Sequence, residues 1–357
     1  MEFVAAFQAG LVWPRETAIV PVMPPVRVQI LLATCQGETW LPELLRSIQA
    51  QSFSDWTLFA RDDGSSDATR QILLAAAEAD RRIVNAPADC LRRGAVDNFS
   101  WLLQQARQAM ADYVLLADQD DIWRSDKVAR QVQALQAAEA AGGRDVPRLV
   151  YCDAVVVDAA RRRVHASFLR QNRLPYGSGA QLKTLLGRSF VLGCACAVNR
   201  ALVDLALPLP EVAASHDWWL ALCAAGAGEI TCLDAPLLEY RRHGANASQM
   251  AFWKSLCGNP APWRRRWELG WKSFLRSLDQ AKALRDRLRE RNVAAGEEGE
   301  LLETFCRIVD QPGRWQTLRD LHRLGVPAIG WPRRLMFDLC MLRLSRASSR
   351  PLVRVEQ

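Results

Sequence analysis

Apolar runs of strand length alternate with helical patterns along the first part of the chain. The runs VRVQILLAT (26–34), WTLFA (56–60), RIVNA (82–86) and YVLLA (113–117) are each followed by a stretch in which apolar residues recur every three or four positions. The last of these predicted helices covers about residues 125–141. Such alternation predicts an α/β fold with a mainly parallel sheet that is flanked by helices and joined by right-handed crossovers.

The pattern continues beyond Gly142-Gly143 and changes near residue 252. A helix is predicted over 214–228, and further strands are predicted in RLVYCDAVVV, FVLGCACAV and EITCLD (148–157, 190–198 and 229–234). In residues 263–292 the apolar positions are separated by arginines, which predicts an amphipathic basic helix. We therefore predict three regions: an N-terminal extension, an α/β domain and a basic helical region (1–25, 26–250 and 251–357).

Composition makes a large buried core possible, because half of the 357 residues are apolar. The 10 cysteines are scattered without the spacing of a zinc site or a disulfide framework, which favours free thiols in a reducing compartment. Prolines at positions 14, 21, 24 and 25 interrupt the start of the chain. We expect neither a standard export signal nor an integral membrane protein.

The net charge of +7 is unevenly distributed along the chain. Residues 261–357 contain 20 Lys and Arg against 12 Asp and Glu, whereas residues 1–260 contain 26 against 27. A basic segment of this kind could meet nucleic acid, anionic lipid or an acidic partner. Nucleic acid is the least expected of these, because the arginines alternate with a Trp/Leu face and form no continuous basic surface.

Polar residues follow the ends of three predicted strands: Thr34, then Asp62 and Asp63, then the cluster Asp118–Asp121. Ligands of open α/β sheets bind beyond the carboxyl ends of the strands, so one crevice could collect these side chains. Asp118 and Asp120 could share a hard cation such as Mg²⁺ or Mn²⁺, with Asp121 left to cap the next turn. A solvated turn with capping aspartates is the alternative.

Three further motifs carry candidate chemistry. In ARDDGSSD (60–67), a carboxylate could accept from a nucleobase or a ribose hydroxyl, although the motif also suits a simple turn. In SHDWW (215–219), Asp217 is an acid among apolar neighbours and could act as a general base, or could cap a helix. In EYRRHGANAS (239–248), Arg241, Arg242 and His243 could meet phosphate oxygens or, for His243, a metal; a solvated loop is the alternative.

Taken together, these motifs resemble those of the family 2 glycosyltransferases of the GT-A fold, in particular the bacterial rhamnosyltransferase-like branch. The resemblance covers about residues 26–250 and is carried by the order of ILLATCQGETWLPELLRSIQAQSFSDW, FARDDGSSDATRQIL, ADYVLLADQDDIWRSDKV, HDWWLAL and APLLEYRRHGANAS. Two departures are visible: Cys35-Gln36-Gly37 replaces the more usual Tyr-Asn-Gly, and His216 precedes Asp217 where many relatives carry Glu.

The resemblance implies a nucleotide diphosphate sugar donor, a divalent metal and inversion at the anomeric carbon. By position, it assigns Asp217 as the catalytic base, Asp118 and Asp120 to metal and diphosphate, and His243 to the neighbourhood of both. Donor binding is predicted for the residues Thr34, Asp62, Asp63, Asp118, Arg242 and His243. Rhamnose from dTDP-rhamnose is the favoured sugar, and the acceptor would be a saccharide or lipid-linked oligosaccharide in the synthesis of a surface polysaccharide such as O-antigen.

The sequence leaves alternatives for the role of the C-terminal region and for the enzyme class. The C-terminal region, with Trp263, Trp267 and Trp271 among arginines and the run RRLMFDLCMLRL (333–344), suits either the inner face of the cytoplasmic membrane or packing on the catalytic body. We accordingly expect a cytoplasmic protein, free or peripheral to the membrane. A nucleotidyltransferase is the alternative enzyme class, although residues 33–37 lack the basic phosphate loop that it would normally show.

Overall fold

The computed structural model describes residues 26–87, 93–174, 181–243, 263–293, 296–311, 313–327 and 331–344. Within them, nine strands form one sheet in the order β3-β2-β1-β4-β8-β6-β9-β5, with β7 paired to β6. The strands are Val28–Thr34 (β1), Trp56–Asp62 (β2), Ile83–Asn85 (β3), Tyr113–Asp118 (β4), Ile122–Trp123 (β5), Arg148–Asp158 (β6), Arg163–His165 (β7), Cys196–Asn199 (β8) and Glu229–Arg242 (β9).

The first half of the sheet is parallel, as the strand–helix alternation predicts. Strand β1 lies between β2 and β4 and runs parallel to both. The register pairs Thr34 with Asp62, and Ala33 with Asp118, so these strands end side by side. The carboxyl ends of β1, β2 and β4 therefore meet at one edge of the sheet, which is the arrangement that brings their polar residues together.

The second half of the sheet is mixed. Strand β8 is antiparallel to both β4 and β6, whereas β9 runs parallel to β6 with a register shift near Asp153. The apolar run 190–198 was predicted as a strand throughout, but β8 begins only at Cys196, after a 3₁₀ turn over Gly193–Ala195. Strand β9 is longer than predicted, because it continues through Pro236 to Arg242. An α/β sheet covered by helices is thus confirmed, with antiparallel pairs added in its second half.

Helices cover the sheet and continue into the C-terminal region. In the described residues they are Leu41–Gln49 (α1), Thr69–Ala79 (α2), Ala95–Gln108 (α3), Lys127–Gly142 (α4), Phe168–Asn172 (α5), Gln181–Leu185 (α6), Arg200–Ala206 (α7), His216–Ala227 (α8), Trp263–Glu290 (α9), Glu297–Val309 (α10), Arg314–Leu324 (α11) and Trp331–Leu344 (α12). In this part of the chain, no helix is both long and apolar enough to cross a membrane.

Helix α8 is buried on nearly all sides, which its almost uniformly apolar sequence requires. It packs on β6 and β9 on one side, and α9 and α10 contact it as well. At Gly226, an added Cβ would lie 3.1 Å from a methyl carbon of Leu284 on α9, so the two helices are in close contact. Arg287 of α9 donates hydrogen bonds to the carbonyl oxygens of Leu205 and Pro208, both at 2.8 Å.

These contacts show that the C-terminal helices extend the core of the α/β domain. Phe274, Leu278, Leu284 and Phe305 belong to the same cluster of buried apolar residues as the sheet. The packing interpretation of the C-terminal region therefore holds for these helices. The side chains of Trp263 and Trp267, which supported the membrane interpretation, lie outside the described residues.

Candidate active site

Gln119 joins the ends of β1 and β4 at the edge of the sheet. Its Oε1 accepts a hydrogen bond from the backbone N–H of Cys35 at 2.9 Å, and its Nε2 donates to the Cys35 carbonyl oxygen at 2.8 Å. Gly37 lies against the same side chain, and a Cβ added there would be 2.3 Å from Oε1 of Gln119. Gln119, the middle residue of the Asp-Gln-Asp motif, thus positions the loop after β1. A glycine is required at position 37 because the Gln119 side chain lies so close to the backbone there.

The turn after β2 has its carboxylates bound within the protein. Asp62 accepts from the Thr34 hydroxyl at 3.0 Å and from the Ser65 N–H at 2.9 Å. The two oxygens of Asp63 accept from the N–H groups of Arg93 and Gly94, at 2.9 and 2.8 Å, immediately before α3. Both residues therefore shape the loops around the crevice. Their contact with a nucleoside, like that of Thr34, stays a prediction.

The turn after β4 has the opposite character, because its carboxylates face one another. Burial and, next, the carboxylates of Asp120 and Asp217 raise the pKa of Asp118 to about 7. Burial, together with the charges of Asp120 and Asp118, also raises the pKa of Asp121 well above its ordinary value. Like charges held in a dry site disfavour ionisation until a cation compensates them. This turn is therefore suited to a divalent cation.

Asp121 does not have the capping role predicted for it. Only 1% of the residue is exposed, and its Oδ1 accepts from the backbone N–H of Arg241 at 3.1 Å. Its carboxylate also interacts with the thiol of Cys194. Helix α4 begins at Lys127, several residues further on, with Asp126 at its N-cap. Asp121 is held inside the site by β9 because the chain turns back into β5 before α4 starts.

Donor atoms of Asp118, Asp121 and Cys194 lie within 4.8 Å of one another, and they form the group of potential metal ligands in the described residues. Asp120 is instead placed against His243, with 2.8 Å between Oδ2 and Nε2. The structure therefore brings Asp120 and His243 together, as a shared role would require. Ligation of one metal by Asp118, Asp120 and His243 stays a prediction, and Cys194 is a neighbour that the motifs did not indicate.

Arg241 is a buried hub, and it does not face a phosphate site as the sequence interpretation suggested. Its guanidinium Nε donates to the carbonyl oxygen of Asp120 and Nη1 to that of Ala159, both at 3.0 Å, and Nη2 pairs with the carboxylate of Glu43. Its own N–H holds Asp121. One side chain thus connects β9, α1 and the acidic turn. Arg242, the next residue, is partly buried at the end of β9.

Trp40, at the start of α1, contacts both Arg241 and His243. Its ring stacks on that of His243 with centroids 5.4 Å apart and 25° between the planes. The guanidinium carbon of Arg241 is 4.5 Å from the centroid of the same ring, which is within the range of a cation–π contact. His243 is therefore oriented by an aromatic ring on one side and by Asp120 on the other. Sequence reasoning missed Trp40, since nothing local marks it.

Asp217 lies in the first turn of α8, and Ser215 occupies the N-cap. Its Oδ2 accepts from the N–H of Gly193 at 3.1 Å, and its Oδ1 from the N–H of Trp218 at 2.8 Å. Because its charge acts on Asp118, the candidate base and the acidic turn share one crevice. Two backbone donors fix the carboxylate while leaving it further acceptor capacity for a substrate hydroxyl.

His216 is buried beside this carboxylate. Its ring stacks on Phe99 with centroids 3.8 Å apart, and neither ring nitrogen has a hydrogen-bond partner within the described residues. Burial lowers the pKa of His216. An added Cβ at Gly193 would lie 2.8 Å from Nε2, so glycine is needed there for the ring to fit. The His-Asp pair that departs from the resemblance thus places a neutral imidazole next to the candidate base.

The family model described as "Glycosyl transferase family 2" matches residues 29–204, which include both acidic turns and Cys194. Residues 29–204 thus match this family, in agreement with the resemblance in the motifs of the chain. The mixed α/β sheet described above is the framework on which the matched segment is built.

Two curated relatives and one solved structure illustrate the similarity. The chain is 35% identical over 105 residues to "dTDP-rhamnosyl transferase RfbG" of Shigella flexneri, covering 29% of this chain and 36% of the relative. It is 27% identical over 112 residues to "Putative teichuronic acid biosynthesis glycosyltransferase TuaG" of Bacillus subtilis (strain 168), covering 30% and 40%. It thus spans well under two thirds of either relative. S. aureus TarS 1–349 in complex with UDP-GlcNAc has 16% identity and a TM-score of 0.47, covering 90% of this chain and 91% of that chain.

Proposed function

We propose that this chain is an inverting, metal-dependent glycosyltransferase that moves a sugar from a nucleotide diphosphate donor to a hydroxyl group of an acceptor. One observation carries the proposal: in a family 2 domain, a mutually repelling carboxylate cluster and a separately held carboxylate, Asp217, share one crevice at the strand ends. The cluster suits a cation and a diphosphate, and Asp217 suits proton removal.

A divalent cation fits the residues present. The carboxylate oxygens of the buried turn after β4 are ligands of the kind that such a cation prefers, and the raised pKa values of Asp118 and Asp121 indicate that a positive charge would relieve their repulsion. Asp118, with Asp120 and His243 from the resemblance, would hold it. Such a cation would neutralise the charge that develops on the leaving diphosphate.

Asp217 would remove the proton from the attacking hydroxyl. The acceptor oxygen forms a bond to C1 of the sugar while the bond from C1 to the phosphate oxygen breaks, and the nucleoside diphosphate departs with that electron pair. The proton moves to a carboxylate oxygen of Asp217, which the N–H groups of Gly193 and Trp218 keep in place. Attack from the face opposite the leaving group inverts the anomeric configuration.

The favoured donor is dTDP-rhamnose, and the favoured acceptor is a saccharide or lipid-linked oligosaccharide of a surface polysaccharide. Support for the sugar comes from the motifs and from the similarity to a protein named as a dTDP-rhamnosyl transferase. On the donor side, the turn after β2 with Thr34, Asp62 and Asp63 would meet the nucleoside. Arg242 and His243, at the end of β9, would lie toward the diphosphate.

A donor screen tests this function. Release of the nucleoside diphosphate would be measured across a set of sugar nucleotides with Mn²⁺ or Mg²⁺, with and without a lipid-linked acceptor. We expect release from a dTDP-sugar that depends on metal and is stimulated by acceptor. Release from none of the donors, with or without acceptor, would contradict the proposal.

Peripheral membrane contact is part of the same proposal. Its structural support comes from exposed apolar residues on the last two helices. Trp315 is 75% exposed on α11, and Leu335 and Leu339 are exposed on α12. An interfacial site would use these residues, since the buried faces of α9 and α10 pack on the domain. Flotation of the full chain with anionic and with neutral vesicles, against Trp315→Ala, tests it. Deletion of the region is unsuitable because it would expose α8. Equal flotation of the two proteins, or none, would exclude this site.

A further inference from the structure

The turn that holds the candidate base is fixed from helix α4. Gly193, whose N–H donates to Asp217 at 3.1 Å, begins the 3₁₀ turn that ends at Ala195. Gln131 of α4 donates from Nε2 to the carbonyl oxygen of Ala195 at 2.8 Å. The same nitrogen is 3.3 Å from the carbonyl oxygen of Val150 on β6. One side chain therefore joins the sheet to the turn that supplies a donor to Asp217.

The amide of Gln131 is itself oriented by a second side chain. Nζ of Lys127, one helical turn earlier, donates to Oε1 of Gln131 at 2.7 Å, so Nε2 is the end of the amide that faces the carbonyl groups. Nζ also lies 3.8 Å from the centroid of the ring of Trp123, a residue of β5. Lys127 and Gln131 are each 0% exposed. They connect the strand after the acidic turn to the turn that holds Asp217.

This polar pair specifies a backbone conformation that the local sequence leaves open. Residues 190–198 are apolar and buried, and they carry no period that separates a turn from a strand. The hydrogen bond from Gln131 to Ala195 is made at the last residue of the turn, directly before β8 begins at Cys196. A buried polar side chain that must find its partner favours one arrangement over others. Apolar residues of similar size would fill the space without this constraint.

The position of the turn matters because Gly193 has two close neighbours in the site. Its N–H fixes a carboxylate oxygen of Asp217, and an added Cβ would lie 2.8 Å from Nε2 of His216. A shift of the turn would therefore disturb the candidate base and the imidazole beside it. A displacement of about 1 Å in a reacting group can lower a rate roughly 100-fold.

We propose that Gln131 and Lys127 are positioning residues for the candidate base: by holding Ala195, they keep the Gly193 N–H where it fixes the carboxylate of Asp217. The action of Asp217 as the base rests on the proposed function, whereas the hydrogen bond that fixes it does not. Both side chains are fully buried, so they act through the 3₁₀ turn and not by contact with a substrate.

Two measurements on the full chain test this proposal. Hydrogen–deuterium exchange, followed by mass spectrometry on the peptide that contains Gly193, reports the turn without any need for activity. Steady-state transfer separates kcat from the KM of the donor. Gln131→Met removes both hydrogen-bonding ends of the amide, and Gln131→Glu keeps an acceptor for Lys127 but removes the donor to Ala195. Lys127→Met leaves the amide without its orienting partner.

Gln51 provides a matched control. It is a buried glutamine whose Nε2 donates to the carbonyl oxygens of Arg124 and Ser47, at 2.6 and 3.1 Å, and whose Oε1 accepts from the N–H of Val128 at 3.0 Å. It thus holds the start of the same helix, and none of these bonds is to the 3₁₀ turn. Gln51→Met should lower thermal stability as Gln131→Met does, with the exchange at Gly193 and the kcat of the wild type.

In Gln131→Met and Gln131→Glu we expect exchange at the Gly193 turn to be roughly 3- to 10-fold faster, and less so in Lys127→Met. The kcat of transfer should fall roughly 10- to 100-fold in both Gln131 variants, with the KM of the donor and the Mn²⁺ affinity unchanged. Gln131→Glu combined with Asp217→Asn should transfer about as slowly as Asp217→Asn alone, because both changes act on one carboxylate.

The inference is overturned if exchange at the turn is the same in the wild type and in Gln131→Glu, or if Gln51→Met shows the same changes. Losses of Gln131→Glu and Asp217→Asn that add in full would also overturn it. Gln131→Glu decides the result if Gln131→Met does not fold. Faster exchange in the Gln131 variants, with no release of nucleoside diphosphate by the wild type, would contradict the proposed function and support the positioning of Asp217.

Discussion

The turns after β2 and after β4 are both rich in aspartate, yet their carboxylates are in opposite situations. Asp62 and Asp63 accept hydrogen bonds from backbone N–H groups and from hydroxyls, which fix the loops beside the crevice. Asp118 and Asp121 repel each other and neighbouring carboxylates, and their pKa values are raised. The same residue type thus builds structure in one turn and provides unbalanced charge in the other.

The difference arises from which donors lie nearby. The β2 turn faces the start of α3, whose free N–H groups favour a carboxylate. The β4 turn contains Asp120 as a further carboxylate, and it is enclosed by β9, the segment before β8 and α8, which adds the carboxylate of Asp217. A carboxylate whose hydrogen bonds are complete is part of the scaffold, whereas one that raises its neighbour's pKa is a candidate for ligand binding.

The largest effect on the rate of transfer is expected when the candidate base is replaced, and replacement of a carboxylate in the β4 turn should affect donor binding instead. We expect Asp217→Asn to lower the rate of transfer roughly 10²- to 10⁴-fold while donor and Mn²⁺ affinity are kept, because Asn cannot accept the proton. Asp120→Ala should instead weaken metal-dependent donor binding itself. Steady-state transfer and equilibrium binding distinguish the two. Wild-type transfer by Asp217→Asn would show that the base is another group.

A smaller effect should follow from loosening the β4 turn without removing a carboxylate. Arg241→Lys keeps the charge but cannot reach Asp120, Ala159 and Glu43 together, so Mn²⁺ affinity should fall roughly 10- to 100-fold. Much of the activity should return at saturating Mn²⁺. The control is Arg161→Lys. Arg161 is partly exposed and pairs with Glu239, which lies on β9 as Arg241 does. An equal loss in both variants would argue against a positioning role for Arg241.

The two turns should also respond differently in stability. Asp63→Asn places an amide donor against the N–H groups of Arg93 and Gly94, and we expect the free energy of unfolding to fall by about 1 to 3 kcal/mol. Asp121→Asn removes a repelling charge and leaves an oxygen for the N–H of Arg241. The metal-free protein should then be as stable as the wild type or more stable. Urea unfolding measures both, and a larger loss for Asp121→Asn would reverse the comparison.

The smallest effect concerns pH. The pKa of Asp118 is raised from 3.8 to about 7, so the folded, metal-free protein holds a proton that the unfolded chain releases. Stability should therefore decline as pH rises from about 4 to about 7, and Mn²⁺ should reverse the decline. Thermal melting in EDTA across this range, compared with Asp118→Asn, isolates the contribution of this group. A wild type and a variant with parallel pH profiles would contradict it.

Much of the fold follows from local sequence. The apolar runs of strand length and the three-to-four-residue patterns predict the first four strands and the helices between them, and the strand ends predict where Thr34, Asp62 and Asp118 meet. The run 190–198 was not predictable in the same way. An apolar segment that is buried on all sides carries no period, so its 3₁₀ turn and short strand could not be read from it.

The α/β alternation, the placement of carboxylates beyond strand ends and the family resemblance all follow from the order of the residues. The groups that meet these carboxylates and loops come from distant parts of the chain: Gln119 meets Cys35, 84 positions away, and Arg241 meets Asp121, 120 positions away. The same holds for Cys194 beside Asp118 and Asp121. Periodicity reports the local choice between helix and strand. The partner of a buried polar atom is set by the packing of distant segments, because each such atom must find a partner wherever the fold brings one.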